Sequence, residues 1–236
     1  MVRVVLGGPD LQRFEPNGFA DQYVKLLFPR PGADRAARRT YTVRAWDGTA
    51  RRLTVDVAVH GDEGLAGPWA RDARVGDEVL LLGPGGGYVP DPAADWHLLI
   101  GDESALPAIA VALERMPEGT VARAFVEVEG AGDEVALTAP ASATVVWLHR
   151  RGLPRGDLLV EAVTAMAFPA GQPQLFLHGE AGLVRTLRRH LLAERRVPRG
   201  LAASVSGYWR LGRDDETWRA EKRQWKAEVE ADVPVR

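Results

Sequence analysis

His97-Leu98-Leu99-Ile100-Gly101-Asp102-Glu103-Ser104-Ala105-Leu106-Pro107-Ala108 decides the fold of the second part of the chain. The apolar run 97–100 reads as a strand, Gly101 to Ser104 as a turn, and Leu106 to Met116 as a helix. Strand, tight turn and helix in succession argue for a parallel sheet with crossover helices. In an open sheet of that kind a nucleotide sits at such a turn. Asp102 or Ser104 is expected to cap the helix, and Pro107 is tolerated in its first turn.

Downstream the pattern repeats. Strand-like runs at 122–129, 144–149 and 174–178 alternate with helical stretches. Gly179-Glu180-Ala181-Gly182 is a second strand-to-helix loop, and two such loops at one sheet edge make a nucleotide crevice. No G-x-G-x-x-G fingerprint is present, so a true Rossmann site is not supported. Leu183, Val184, Leu187, Leu191 and Leu192 set the apolar face of the next helix. It also carries Arg185, Arg188, Arg189, Arg195 and Arg196, which could grip a 2′-phosphate or dock an acidic electron carrier. A solvated face of an amphipathic helix is the preferred reading of those arginines. Asp214-Asp215-Glu216 then opens a final helix from about 215 to 230, with Trp218, Trp225 and Val229 on one face.

Upstream the period is two. Val24, Leu26 and Phe28 alternate around Lys25, and Tyr41, Val43 and Ala45 alternate with Thr40, Thr42 and Arg44. Leu53 to His60 is the clearest strand, and Val79 to Leu82 precedes Gly83-Pro84-Gly85-Gly86-Gly87. Several short strands separated by turns argue for a small antiparallel barrel. The change of period puts the domain boundary near residues 88–95.

In Arg39-x-Tyr41-Thr42, alternation puts Arg39, Tyr41 and Val43 on one face and Thr40 and Thr42 on the other. The arginine offers a forked donor to a pyrophosphate, the tyrosine a flat face, and the threonine a hydroxyl or backbone N–H. Gly67-Pro68-Trp69-Ala70 can turn backbone N–H groups toward a phosphate at the start of a short helix. A plain edge strand and an ordinary turn are the competing readings.

The bulk numbers narrow the class. The chain has 236 residues, 46% hydrophobic and 26% charged, ordinary for a globular protein. Thirty basic against 32 acidic residues leave a net charge of −2, which favours neither nucleic acid nor a membrane surface. With no cysteine, disulfides, cysteine-ligated clusters and thiol catalysis are excluded, and a reducing compartment fits. No apolar run approaches the roughly 20 residues of a membrane span. The expected location is cytoplasmic, without membrane insertion. The histidines at 60, 97, 149, 178 and 190 show no metal-ligand spacing.

Arg39-x-Tyr41-Thr42-x-Arg44, His60-Gly61, Gly67-Pro68-Trp69-Ala70, Gly76-Asp77, Gly83-Pro84, the Gly101–Ala108 string, Trp147-x-His149-Arg150, Gly179-Glu180 and Tyr208-Trp209-Arg210 occur in that order. Together they resemble the siderophore-interacting proteins, FAD-containing ferric-siderophore reductases of the ferredoxin-reductase superfamily. The resemblance implies a flavin-binding β-barrel over 1–90, an NAD(P)H-binding α/β domain over 91–212, and a C-terminal helix and tail over 213–236. By position, Arg39, Tyr41, Thr42, His60, Gly67, Pro68, Trp69 and Ala70 would contact FAD. Gly101, Asp102, Glu103, Ser104, Ala105, Glu180 and Trp209 would line the nicotinamide side. Lys25 would help to hold an anionic ferric siderophore. It implies an enzyme without an acid–base or nucleophilic catalytic residue and without a bound metal. Electrons would pass from NADH or NADPH through FAD to Fe(III), releasing Fe(II).

Where this chain departs from the family, the reading stays open. Members carry an extra segment before the strand that begins here at Val2, which points to an absent first barrel strand. Some place a basic residue where Gly85 stands, so a less cationic siderophore pocket is expected. The final helix resembles a branch that tends to favour NADH. A general flavin reductase or ferredoxin-coupled enzyme, and a siderophore-binding protein that has lost FAD, are the alternatives. A monomer is expected.

Overall fold

In the first part of the chain, alternating burial builds an antiparallel sheet. The strands are β1 (Val2–Leu6), β2 (Tyr23–Phe28), β3 (Ala37–Asp47), β4 (Arg52–Val57) and β5 (Leu80–Gly85), with the seven-residue helix α1 (Ala66–Asp72) before the last. The computed structural model describes residues 1–30, 32, 34–59, 61, 62 and 64–233. Spatial order is β1-β4-β3-β2-β5, every pair antiparallel. Among the described residues β1 and β5 are the sheet's two edges. Val24, Leu26, Val43, Leu53, Val55 and Val57 point to one side and form the core, where α1 adds Ala66 and Ala70. The strand expected to reach His60 ends at Val57, because the chain turns there toward α1.

Residues 1–89 and 90–236 are separate compact units. In the second, β6 (Trp96–Asp102), β7 (Ala122–Val128), β8 (Ala143–His149), β9 (Pro173–Glu180) and β10 (Ser204–Trp209) form a parallel sheet in the order β10-β9-β6-β7-β8. The helices α2 (Leu106–Arg115), α3 (Asp157–Ala165), α4 (Ala181–Arg189) and α5 (Asp215–Ala231) accompany it. All seven residues of β6 are buried, as a central strand covered on both faces requires. The chain leaves β6 for β7 on one side and returns as β9 on the other. The switch point therefore lies between the C-terminal ends of β6 and β9.

The apolar stripes expected on α4 and α5 meet in one core with Leu98, Ile100, Leu175 and Leu177. Of the arginines on and just after α4, Arg189 and Arg196 are exposed as expected of a solvated face, whereas Arg185, Arg188 and Arg195 are engaged by other elements. Arg185 pairs with Asp232 at 2.6 Å, and Arg188, only 6% exposed, donates to the Val229 carbonyl at 2.6 Å. Arg195 donates to the carbonyls of Thr164 and Met166, at the C-terminal end of α3. Arg185, Arg188 and Arg195 thus hold α5 and α3 in place, which corrects the solvated-face expectation for those three.

Candidate functional site

In the first unit the β2–β3 register sorts the expected site residues into two sets. Arg39 lies opposite Leu26 and Tyr41 opposite Val24, so both belong to the side that carries the core. Both stay half-exposed there, and Arg39 Nη1 donates to the Arg38 carbonyl at 3.0 Å. Thr42 lies opposite Tyr23, and Thr40 opposite Lys25, on the other side. The Lys25 ammonium stands 5.7 Å from the Tyr23 ring centroid. Gly67 and Pro68 fall in the first turn of α1. Trp69 packs edge-on to Phe28 at 5.5 Å, a core contact, and Ala70 is buried. His60 lies outside the described residues.

A guanidinium and a phenol ring share one side of the sheet, and the Thr42 hydroxyl belongs to the other. The guanidinium and the ring fit a flat cofactor carrying a pyrophosphate.

In the second unit the site is the C-terminal edge of the sheet. Asp102 ends β6 and is 3% exposed. Its Oδ1 accepts from the Ser104 amide at 2.9 Å and the Ser104 hydroxyl at 2.5 Å. Its Oδ2 accepts from the Glu180 amide at 2.9 Å and the Trp209 indole Nε1 at 2.8 Å. Four donors fill both oxygens, so the carboxylate ties the ends of β6, β9 and β10 together. Burial pushes its carboxyl up, and the Ser104 and Trp209 donors pull against that. Gly179 has φ +139°, and a Cβ there would lie 2.7 Å from Asp102 Oδ2, so glycine is required for both reasons.

The neighbouring residues are similarly engaged. Glu180 caps α4, its Oε2 accepting from Gly182 and Leu183, while Oε1 accepts from the Leu211 amide. The start of α2 differs: it has no side-chain cap, contrary to the expectation for Asp102 or Ser104. Gly101 and Ala105 pack closely there, and Ala105 is wholly buried. The first turn of α2, beside the switch point, is buried at Ala105, Leu106 and Ala108, and the Ala105 and Ala108 amides donate to the carbonyls of Asp102 and Ala105.

Glu103 reaches Arg150 Nη2 and Arg155 Nη1, each at 3.0 Å. Arg150 is 2% exposed and also pairs with Glu127 at 3.1 Å and Glu129 at 2.8 Å. Glu127 in turn accepts from the Gly156 amide before α3. The Arg155 guanidinium lies 5.4 Å from the centre of the Trp209 ring, whose N–H is held by Asp102. Trp209 is thus fixed from its edge and from one face. Sequence reading quoted Arg150 without a role and missed Arg155, Glu127 and Glu129. The available signal was Glu127 inside the apolar run Phe125-Val126-Glu127-Val128.

Comparison with known proteins agrees with both halves. Residues 30–88 match a family described as the siderophore-interacting FAD-binding domain, and residues 94–212 match siderophore-interacting protein. An uncharacterized protein of Mycobacterium tuberculosis is 47% identical, covering 97% of this chain and 90% of its own. The ferric vibriobactin reductase ViuB of Vibrio cholerae is 31% identical over 94% of this chain and 88% of its own. The crystal structure of the siderophore-interacting protein SipS from Aeromonas hydrophila superposes with a TM-score of 0.82 at 30% identity, over 95% of this chain and 91% of SipS.

Proposed function

From the premise that this chain belongs to the siderophore-interacting protein family, we propose that it is an FAD-dependent ferric-siderophore reductase using NAD(P)H. The observation that carries the reading is the order of its halves. A flavin-family match on the antiparallel unit precedes a parallel sheet with a switch point.

Bound FAD would supply the relay between a two-electron nicotinamide donor and a one-electron ferric acceptor. The protein's part is position and electrostatics. In this reading Arg39 holds the FAD pyrophosphate with its forked donor, and Tyr41 offers a flat aromatic face. Thr42 joins the FAD set by family position, and the α1 start takes a phosphate oxygen. His60, Gly67, Pro68, Trp69 and Ala70 complete the FAD set by family position, with Trp69 shaping the wall from the core. On the nicotinamide side, Gly101 and Ala105 let backbone approach closely, and the β6–α2 turn beside the switch point borders the dinucleotide. Asp102, Glu103, Ser104 and Glu180 act from within, holding that edge and the Trp209 ring in shape. Lys25 holds the ferric chelate. Siderophore oxygens favour hard Fe(III) over Fe(II), so reduction weakens the complex.

A cysteine-free chain suits a reducing cytoplasm, and we place the reductase there as a monomer. A ferredoxin is the alternative electron source. Among the described residues no helix is long and apolar enough to cross a membrane.

Two substitutions separate the sites. Arg39→Ala is expected to weaken FAD binding about 10- to 100-fold, as loss of a charge-assisted phosphate contact implies. Flavin content per purified protein checks it, and stoichiometric FAD in the variant removes Arg39 from that role. Lys25→Ala is expected to raise KM for an anionic ferric chelate about tenfold, while reduction of the flavin by NADH is unaffected. Stopped-flow of the two half-reactions reads this, and equal kinetics on both would make Lys25 a surface lysine.

The deciding experiment is a visible spectrum, taken before and after anaerobic NADH and then with a ferric siderophore. Flavin bands that bleach and return support the reductase. A colourless protein that takes up no FAD supports a siderophore-binding protein instead. Turnover of free flavins or dyes without preference for iron chelates supports a general flavin reductase.

A further inference from the structure

The outer face of β5, β2 and β3 lies wholly within the first unit and can be read row by row. Leu82, Lys25 and Thr40 stand side by side, and the next row is Gly85, Tyr23 and Thr42. On the other flank the row through Leu27 ends in Leu80 and Arg38. Leu80 is 73% exposed and Leu82 46% exposed, so two large aliphatic chains lie bare beside the central lysine. Lys25 forms no ion pair among the described residues, and its ammonium lies over the Tyr23 ring.

The glycine at 85 has a physical cause. A Cβ there would overlap the Tyr23 ring, so no side chain fits while the tyrosine holds its place. The aromatic ring occupies the position from which a further cation would reach the face. Among the described residues Lys25 and Arg38 are the cations of these three rows, set among leucines, threonines and one phenol, and Arg44 farther along β3 pairs with Asp56. Seating a multiply charged anion against this surface would strip water from charge that one central ammonium cannot match. A ligand with little net charge loses less hydration and gains apolar contact instead.

We propose that this face selects ferric chelates of low net charge with an aryl- or alkyl-rich rim, with Tyr23 and Leu82 flanking the Lys25 ammonium. The proposal rests on the reading of Lys25 as a chelate contact and adds the substrate class. An aryl ring of the ligand stacks at Tyr23, alkyl groups cover Leu82 and Leu80, and the ammonium donates to a single ligating or carbonyl oxygen.

Gallium(III) chelates resist reduction, so they report binding apart from turnover. The test titrates the FAD-loaded protein with an uncharged alkylated gallium trishydroxamate and with the trianionic gallium triscatecholate, by calorimetry. The uncharged chelate is expected to bind about tenfold tighter or better. Its Kd should change less than about twofold between about 50 and 500 mM salt, because little charge is being neutralised. Leu82→Lys adds a second ammonium in the central row and is expected to move the preference toward the trianion about tenfold.

Tighter, salt-sensitive binding of the trianion by the wild type would overturn the substrate class. Unchanged affinities in Leu82→Lys, or no binding of either chelate, would remove the face as the site. The reductase reading is judged separately, by anaerobic reoxidation of the reduced flavin with the matching ferric chelates. Reoxidation that favours the triscatecholate keeps the reductase and rejects the class. No reoxidation by either rejects the reductase itself.

Discussion

Below pH 6.5 the folded state is expected to lose about 1.4 kcal/mol per pH unit through His178 alone, about 5 kcal/mol in full. His178 is 3% exposed on β9, between the rings of Phe176 and Tyr208 at 4.4 Å each. Its Nδ1 lies 2.9 Å from the Ser206 carbonyl, which only accepts, so that nitrogen carries the proton. Nε2 then accepts from the Ser204 hydroxyl at 2.8 Å. Burial drives the imidazole pKa from 6.5 down to about 3, and Lys222 and Lys226 push the same way against the Ser206 bond. The unfolded chain takes up the proton first. Stability is therefore whole above 6.5 and falls as the pH drops toward 3.

Asp102 acts in the opposite sense. Burial raises its carboxyl, so the folded state binds that proton more tightly and gains from acid until the unfolded carboxyl also titrates. A His178→Gln variant keeps the Asp102 contribution and isolates the histidine. Urea midpoints at pH 7 and about pH 4.5 should show the wild type losing about 3 kcal/mol more than the variant. Equal losses in the two proteins would mean that the fold does not lower the pKa of His178.

The second large effect is expected at Arg150. Replacing it by Met leaves Glu127, whose side chain is fully buried, without its counter-ion, and frees Glu103 from one of its two partners. Breaking such a pair from one side costs about 3–5 kcal/mol, most of it the stranded carboxylate. Adding Glu127→Gln to Arg150→Met should therefore recover part of the loss, although each change alone destabilises. Lysine is a poor substitute, because one ammonium cannot reach three carboxylates held by a planar fork. Denaturant unfolding checks all of this. A loss below about 1 kcal/mol for Arg150→Met would place the cluster among ordinary surface pairs.

Much of the architecture was legible in the sequence because it rests on local period. The alternation of Arg39 to Val43 assigned faces that the β2–β3 register reproduces, and Trp218, Trp225 and Val229 marked the buried side of α5. What escaped was non-local. Arg150 meets partners 21, 23 and 47 residues away, a spacing with no periodic signature. Arg185 and Arg188 looked solvated because their partners, Asp232 and the Val229 carbonyl, lie at the end of α5, 47 and 41 residues later. Asp102 read as a helix cap because Ser104 and Ala105 follow it; its bond to Trp209 spans 107 residues. At Gly85 the absence of a basic side chain was visible in the sequence, whereas the Tyr23 ring that fills the space beside it was not.

The order β10-β9-β6-β7-β8 also dictates a timetable. The ribosome delivers the middle strand β6 first, then builds outward, and β10 with α5 follows everything it covers. Until those segments emerge, β9 has a bare edge and the apolar cluster that Trp218 and Trp225 complete faces water. Nascent chains stalled before β10 should therefore be the species that chaperones hold and proteases clear.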